Sequence, residues 1–154
     1  MGKHMRNSVI NSELETEVRT LLLLSSARKK ALTLERIVAL DFIVCYAGSF
    51  QFPYLNPQGD NRYMFAELGS RRERIRAAIK DLVLRGLVDV HFNSGYCFSI
   101  SDRGSAFIRK LKSEYAIQYK KIAQDAISRY KAYSDADLDR IIHNSAVSSI
   151  GGSR

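Results

Sequence analysis

The stretch SRRERIRAAIKDLVLRGLVDVHFNSGYCFSI, residues 70–100, decides the fold. Ile75, Ile79, Leu82 and Val83 recur every three or four residues, which marks the inner face of a helix over 70–85 with Ser70 as its expected cap. Gly86 stops that helix, because glycine takes up the left-handed backbone that ends one without steric cost. Beyond it Val88, Val90 and Phe92 alternate with polar residues. Tyr96, Phe98 and Ile100 do the same after Asn93-Ser94-Gly95, so a two-stranded hairpin follows. Helix, glycine turn and hairpin form the second half of a winged helix-turn-helix, with 70–85 in the recognition-helix place and Asn93-Ser94-Gly95 at the wing tip.

The upstream sequence supplies the first half. Ser12-Glu13-Leu14-Glu15 has the form of a capping box, and Leu14, Val18, Leu21 and Leu22 then share one helical face, which predicts a helix over 12–27. Thr33 caps a second helix whose residues 34–45 are apolar on nearly every side, as in a helix buried at the domain centre, and Gly48 is expected to end it. Pro53, Pro57, Gly59 and Asp60-Asn61 rule out regular helix over 48–62, while Phe50, Phe52, Tyr54 and Leu55 need cover, so an ordered loop pinned by its aromatics is expected. A short helix near 63–68, broken by Gly69, leads into the recognition helix.

Downstream, Ser101 and Asp102 open a helix on which Phe107, Leu111, Tyr115, Tyr119, Ile122, Ala126, Tyr130 and Tyr133 step by three or four residues. At 1.5 Å per residue it would span about 45 Å, more than a small domain needs for cover. The apolar stripe is therefore expected to pair with a second copy, with Phe107, Leu111, Tyr115, Tyr119, Ile122, Ala126 and Tyr130 as the dimer interface. A sharp bend folding the helix back on its own domain is the alternative. Asp135, Asp137 and Asp139 start a last short helix through His143. The expected organisation is a cloning remnant over 1–4 with the natural start at Met5, an N-terminal helix over 5–30, a winged-helix core over 31–101, a C-terminal helical extension over 102–147 and a disordered tail over 148–154.

Composition bounds the function. The 154 residues suit one core, and 45% hydrophobic content is ample to fill it. No apolar run approaches the roughly 20 residues that span a bilayer, so a cytoplasmic protein with no membrane contact is expected. Cys45 and Cys97 stand alone, without Cys or His at ligand spacing, and are expected as reduced core thiols. His91 and Cys97 come near each other across the hairpin, but no third group orients them and no oxyanion site accompanies them. Asp41 within an apolar helix reads as a buried carboxylate that caps a loop amide or pairs with an arginine. With no phosphate loop and no metal cluster, the chain is expected to be no enzyme and to carry no cofactor and no metal.

Binding residues are sought among the cations. The net charge of +8 fits a nucleic-acid or acidic-protein partner. Arg71, Arg72, Arg74, Arg76 and Lys80 on the recognition helix, and Asn93 and Ser94 on the wing, are the candidates for nucleic acid or a partner. Over 31–100, however, eight Lys and Arg face seven Asp and Glu, a net of only +1, and the outward face of 70–85 centres on Glu73 and Ala77. The excess lies on the downstream helix, where Lys112, Lys120 and Lys121 are the further candidates. Weak, non-specific DNA contact is the most this distribution promises.

Leu40-Asp41-Phe42-Ile43-Val44, the proline-containing loop after it, Leu84-Arg85-Gly86-Leu87-Val88 and Gly95-Tyr96-Cys97-Phe98-Ser99-Ile100 together carry a family likeness. From about residue 8 to 133 the chain resembles the middle component of three-component ABC systems. These systems pair a large ABC-type ATPase, related to recombination and chromosome-structure proteins, with a variable third component, and are linked to defence against phage and mobile DNA. The resemblance implies an adaptor between the ATPase and the third component. Winged-helix adaptors of condensin-like complexes offer a precedent for winged helices that bind protein. The runner-up is a dimeric winged-helix transcription regulator placing two recognition helices in adjacent major grooves.

Overall fold

In the computed structural model, residues 2–55 and 64–151 are described, with side chains at 13–55 and 66–147. The helix α1 (Gly2–Ser26) is followed by a two-residue strand β1 (Leu32–Thr33) and α2 (Leu34–Cys45). A 3-10 turn at Ala47–Phe50 and another at Met64–Glu67 flank the loop, after which come α3 (Leu68–Leu84), the hairpin β2 (Val88–Phe92) and β3 (Tyr96–Ile100), and three helices, α4 (Asp102–Arg109), α5 (Glu114–Arg129) and α6 (Asp135–Gly151). The protein is mainly α with a β wing.

α2 is central because its sequence leaves it no polar side. Every residue from Ile37 to Cys45 is buried, Asp41 included. Thr33 caps it as expected, accepting from the Arg36 amide at 3.1 Å, and also donates to Asp135 at 2.6 Å. The helix ends at Cys45, ahead of Gly48, and continues directly into the 3-10 turn. α1 is the second interior helix. Leu21, Leu22, Leu23 and Leu24 are all buried, a run possible only where neighbours cover every side, and α3 and α5 pack against it. Its helix already runs from Gly2, so Ser12 lies inside it and cannot cap it; no proline or further glycine intervenes to break the helix earlier.

Gly69 does not break α3. It sits in the first turn, where an amide has no intrahelical bond to lose, and Ser70 donates to the Glu67 carbonyl at 3.0 Å without capping. At the other end Gly86 takes φ +75°, and the amides of Gly86 and Leu87 bond back to Val83 and Leu82. The hairpin follows in the expected register, Val88 opposite Ile100, Val90 opposite Phe98 and Phe92 opposite Tyr96. β1 adds to the far side of β3, giving the antiparallel order β1-β3-β2 and leaving β2 as an edge.

The single long helix over 102–133 does not form. Ser101 caps α4, accepting from the Gly104 amide at 2.9 Å, but α4 stops at Arg109 and Ser113 caps α5 anew, accepting from Ala116 at 3.1 Å. The chain bends between them, and the stripe turns inward against α1 and α2. Tyr119, Ile122 and Ala126 are fully buried and Tyr130 nearly so, within one continuous cluster that includes side chains of all six α-helices among the described residues. α6 opens on a reciprocal capping box, with Ser134 Oγ accepting from the Asp137 amide and Asp137 accepting from the Ser134 amide, both at 3.0 Å. It runs past His143 to Gly151, because serine interrupts a helix only mildly. Helix thus replaces the expected tail over 148–151, while Met1, the loop residues 56–63 and residues 152–154 lie outside the described residues.

Candidate functional site

Arg71 is not at the surface. Its guanidinium lies at the middle of the fold, 1% exposed, with Nη1 donating to Asp41 Oδ2 at 2.6 Å and Nη2 to Glu67 at 3.1 Å, and with the rings of Phe42 and Tyr46 under it. Asp41 also accepts from Arg19 Nε at 3.0 Å and from the Tyr119 hydroxyl at 2.7 Å. The cluster ties α1, α2, α3 and α5 together at their crossing. Burial pushes the Asp41 carboxyl up, but Arg19 and Arg71 outweigh it and hold the group at about 2, so Asp41 is ionised. The same burial, with Asp41 alongside, pushes the Cys45 thiol up to about 12 and keeps it protonated. A fixed carboxylate between two fixed cations, sealed from solvent, orders helices and does not exchange protons near neutrality.

The remaining candidates divide between engaged and free cations. Arg72 pairs with Glu35 at 2.5 Å and with Glu73 at 3.6 Å, and Arg74 donates to Ser70 Oγ at 3.2 Å. Arg85 pairs with Glu17 and, at 2.7 Å, with Asp81. Arg76 and Lys80 are exposed and make no ion pair with any described residue. Asn93 and Ser94 stand exposed at the wing tip, where Ser94 takes φ +64°. Lys112 is exposed and Lys120 half-buried, while Lys121 lies 5.9 Å over the Tyr54 ring. Arg129 is absorbed by the loop, donating to the Phe50 and Gln51 carbonyls and stacking 3.4 Å from the Phe52 ring centre, which is how the aromatic segment is pinned. His91 donates to or accepts from Ser99 Oγ at 2.7 Å and faces Cys97 in register.

The stripe expected to form a dimer interface is largely turned into the chain's own core. Tyr119, Ile122, Ala126 and Tyr130 are core residues of their own chain, Leu111 and Tyr115 are half-buried, and Phe107 alone of the set is exposed. What sequence patterning missed lies elsewhere. Val88, Val90, Phe92, Tyr96, Phe98 and Ile100 share one face of the hairpin, but only its inner end is covered. Exposure rises from 2% at Val88 to 43% at Val90 and 73% at Phe92. Alternation says which residues share a face and carries no signal for where the cover stops.

Between this overhang and α3 lies a groove of about 420 Å³, walled by Ile79, Val83 and Leu84 on one side and by Val90, Tyr96 and Phe98 on the other, with Arg76 and Lys80 at its rim. A second cleft of about 520 Å³ separates α6 from α2 and α3, with Val38, Leu68 and Ile142 below and Glu35, Arg72 and Asp139 around it. A furrow between α1 and α3 is mainly acidic, lined by Glu13, Glu17, Glu73 and Asp81 with Arg74 among them. Among the described residues no three His, Cys, Asp or Glu group as metal ligands, and no helix is long and apolar enough to cross a membrane.

Fold and surface together define a small, mainly α protein with a β wing, ordered inside by ions and open outside along an apolar groove. Over residues 9–151 the chain matches the family model described as ABC-three component (ABC-3C) system Middle Component 2, and it belongs to that family. No curated protein and no solved structure matches it.

Proposed function

We propose that this chain is a non-enzymatic winged-helix adaptor that links the ABC-type ATPase of its system to the third component, in a system serving defence against phage and mobile DNA. The observation that carries the reading is the open apolar face shared by α3 and the wing, in a protein that is one component of a multi-component system. The nearly neutral core and the outward Glu73 favour a protein partner over base readout in the recognition-helix position. The chain acts as a cytoplasmic protein, touching DNA only weakly.

Co-expression with the products of the neighbouring genes, followed by affinity capture of this chain at low salt, tests the adaptor. Recovery of both the ATPase and the third component in one complex is the expected result. Failure to recover either, together with tight binding of the isolated chain to one operator, would replace the adaptor with a transcription regulator.

A further inference from the structure

We infer that the groove between α3 and the wing receives an amphipathic helix of a protein partner, one whose apolar stripe is flanked by Asp or Glu. The inference rests on the adaptor reading and names the place and the chemistry of docking.

Exposed apolar surface is concentrated at this groove. Large apolar side chains normally reach solvent singly. Here Leu84 at 77%, Val90 at 43%, Phe92 at 73% and Tyr96 at 65% gather at one groove and its outer lip, with the Phe92 and Tyr96 rings 5.1 Å apart edge to face. The inner half of the same strand face is already covered by α3, so the groove continues the protein's own core outward.

The backbone around the groove selects the shape of the occupant. β2 is a sheet edge, but a strand added beside it would extend the sheet and leave the face bare. Covering the face itself brings a backbone over apolar side chains, where its amides and carbonyls find no partner. A helix satisfies its backbone internally and presents side chains at three- and four-residue spacing, so it is the element that fits.

Charge at the rim selects the flanks of the occupant. The other cations of α3 and its C-terminal cap are held away from the groove: Arg71 by Asp41 and Glu67, Arg72 by Glu35, Arg85 by Glu17 and Asp81, and Arg74 by a hydrogen bond to Ser70 Oγ at 3.2 Å. Arg76 and Lys80, four residues apart on one helix face, repel each other and have no carboxylate in the groove lining to offset them. Carboxylates on the rim of an incoming helix would supply that offset. A nucleic-acid backbone would meet the same two cations, but only by pressing phosphates against Leu84, Val90 and Tyr96, which burial of charge opposes.

The test measures binding of the full chain to the purified products of its two neighbouring genes. Leu84→Glu and Tyr96→Glu place a carboxylate in the groove, and Arg76→Glu/Lys80→Glu reverses the rim. All four side chains are exposed, so thermal melts matching wild type are expected to verify folding. The groove variants should weaken binding of one neighbour by roughly thirtyfold or more. The rim variant should slow association by roughly tenfold and flatten its salt dependence. A neighbour that binds every variant as it binds wild type overturns the groove and leaves the adaptor standing. If neither neighbour binds the wild-type chain, both readings fall. Should Leu84→Glu instead convert a dimer to a monomer in sedimentation, or abolish binding to random-sequence duplex while protein binding persists, the occupant is a second copy or DNA and the inference is overturned.

Discussion

Asp41 shows how one residue can organise four helices. It accepts from Arg19, Arg71 and Tyr119, which arrive from α1, α3 and α5, and none of these hydrogen-bonding groups has water to turn to. Removing one partner of such a cluster leaves buried charge uncompensated, which costs about 3–5 kcal/mol. Asp41→Asn should therefore lower stability by about that much near neutral pH, measured by urea unfolding, and Tyr119→Phe by about 2 kcal/mol through loss of a hydrogen bond to a charged acceptor. The pH dependence has a definite direction. Because folding depresses the Asp41 carboxyl from 3.8 to about 2, its contribution is full above the ordinary value and is lost as pH falls through the folded one. The gap between wild type and Asp41→Asn should stay constant above about pH 5 and narrow between about pH 4 and pH 2; a gap that widened on acidification would show that the carboxylate is not held by its cations. An aspartate in an apolar helix reads from sequence as a buried carboxylate that either caps a loop amide or pairs with an arginine, and the structure shows the second. Which arginines would supply it depended on how the helices crossed, 22 and 30 residues away in sequence, and that placed Arg71 on the wrong side of its helix.

At the scale of elements, local chemistry was legible wherever one residue type had one job. Thr33 caps its helix as expected, Ser101 opens α4, Gly86 turns the chain and the hairpin pairs in register, whereas Ser12 and Ser70 do not cap. The bend that folds the downstream helix back was the alternative, but its place at 110–113 was not legible, because apolar residues keep their helical spacing on both sides of it. Ser113 offered a new cap inside an unbroken pattern, and only the packing of α5 on α1 and α2 shows that it was used. β1, at two residues, is too short for any alternation to register. Two glycines separate tolerance from necessity. A Cβ at Gly104 would run into the Leu87 carbonyl oxygen and stand 2.8 Å from Ile100 Cγ1, so α4 can dock on the hairpin only through glycine. Gly69 faces open space at a non-strained backbone angle. Gly104→Ala should cost about 1–3 kcal/mol as overpacking against backbone, while Gly69→Ala should be neutral or stabilise by about 0.4–1 kcal/mol through the unfolded chain. Thermal melts of the two variants should move in opposite directions or differ by several degrees, and equal melts would mean that α4 has room to shift.

For the whole molecule, the question is what a net charge of +8 does when the core over 31–100 carries only +1. Exposed cations collect on and between α4 and α5, at Arg103, Arg109, Lys110, Lys112 and Lys121, with Lys120 half-covered, while the acidic furrow lies between α1 and α3. None of these cations lines the α3–wing groove. Exposed lysines on helices attract phosphates without fixing their register, so duplex DNA should bind weakly, with Kd on the order of 10⁻⁴–10⁻⁶ M at physiological salt and no preference among sequences. Fluorescence anisotropy across salt concentrations gives the expected signature: each of Lys112→Glu, Lys120→Glu and Lys121→Glu should reduce the log–log salt slope by about 1 or more, while Leu84→Glu should leave it unchanged. Nanomolar, sequence-selective binding that survives physiological salt and collapses in Arg76→Ala or Lys80→Ala would reverse this assignment. The free cations of α3 would then be reading base edges, and the chain would work as a regulator with its wing beside the groove of DNA.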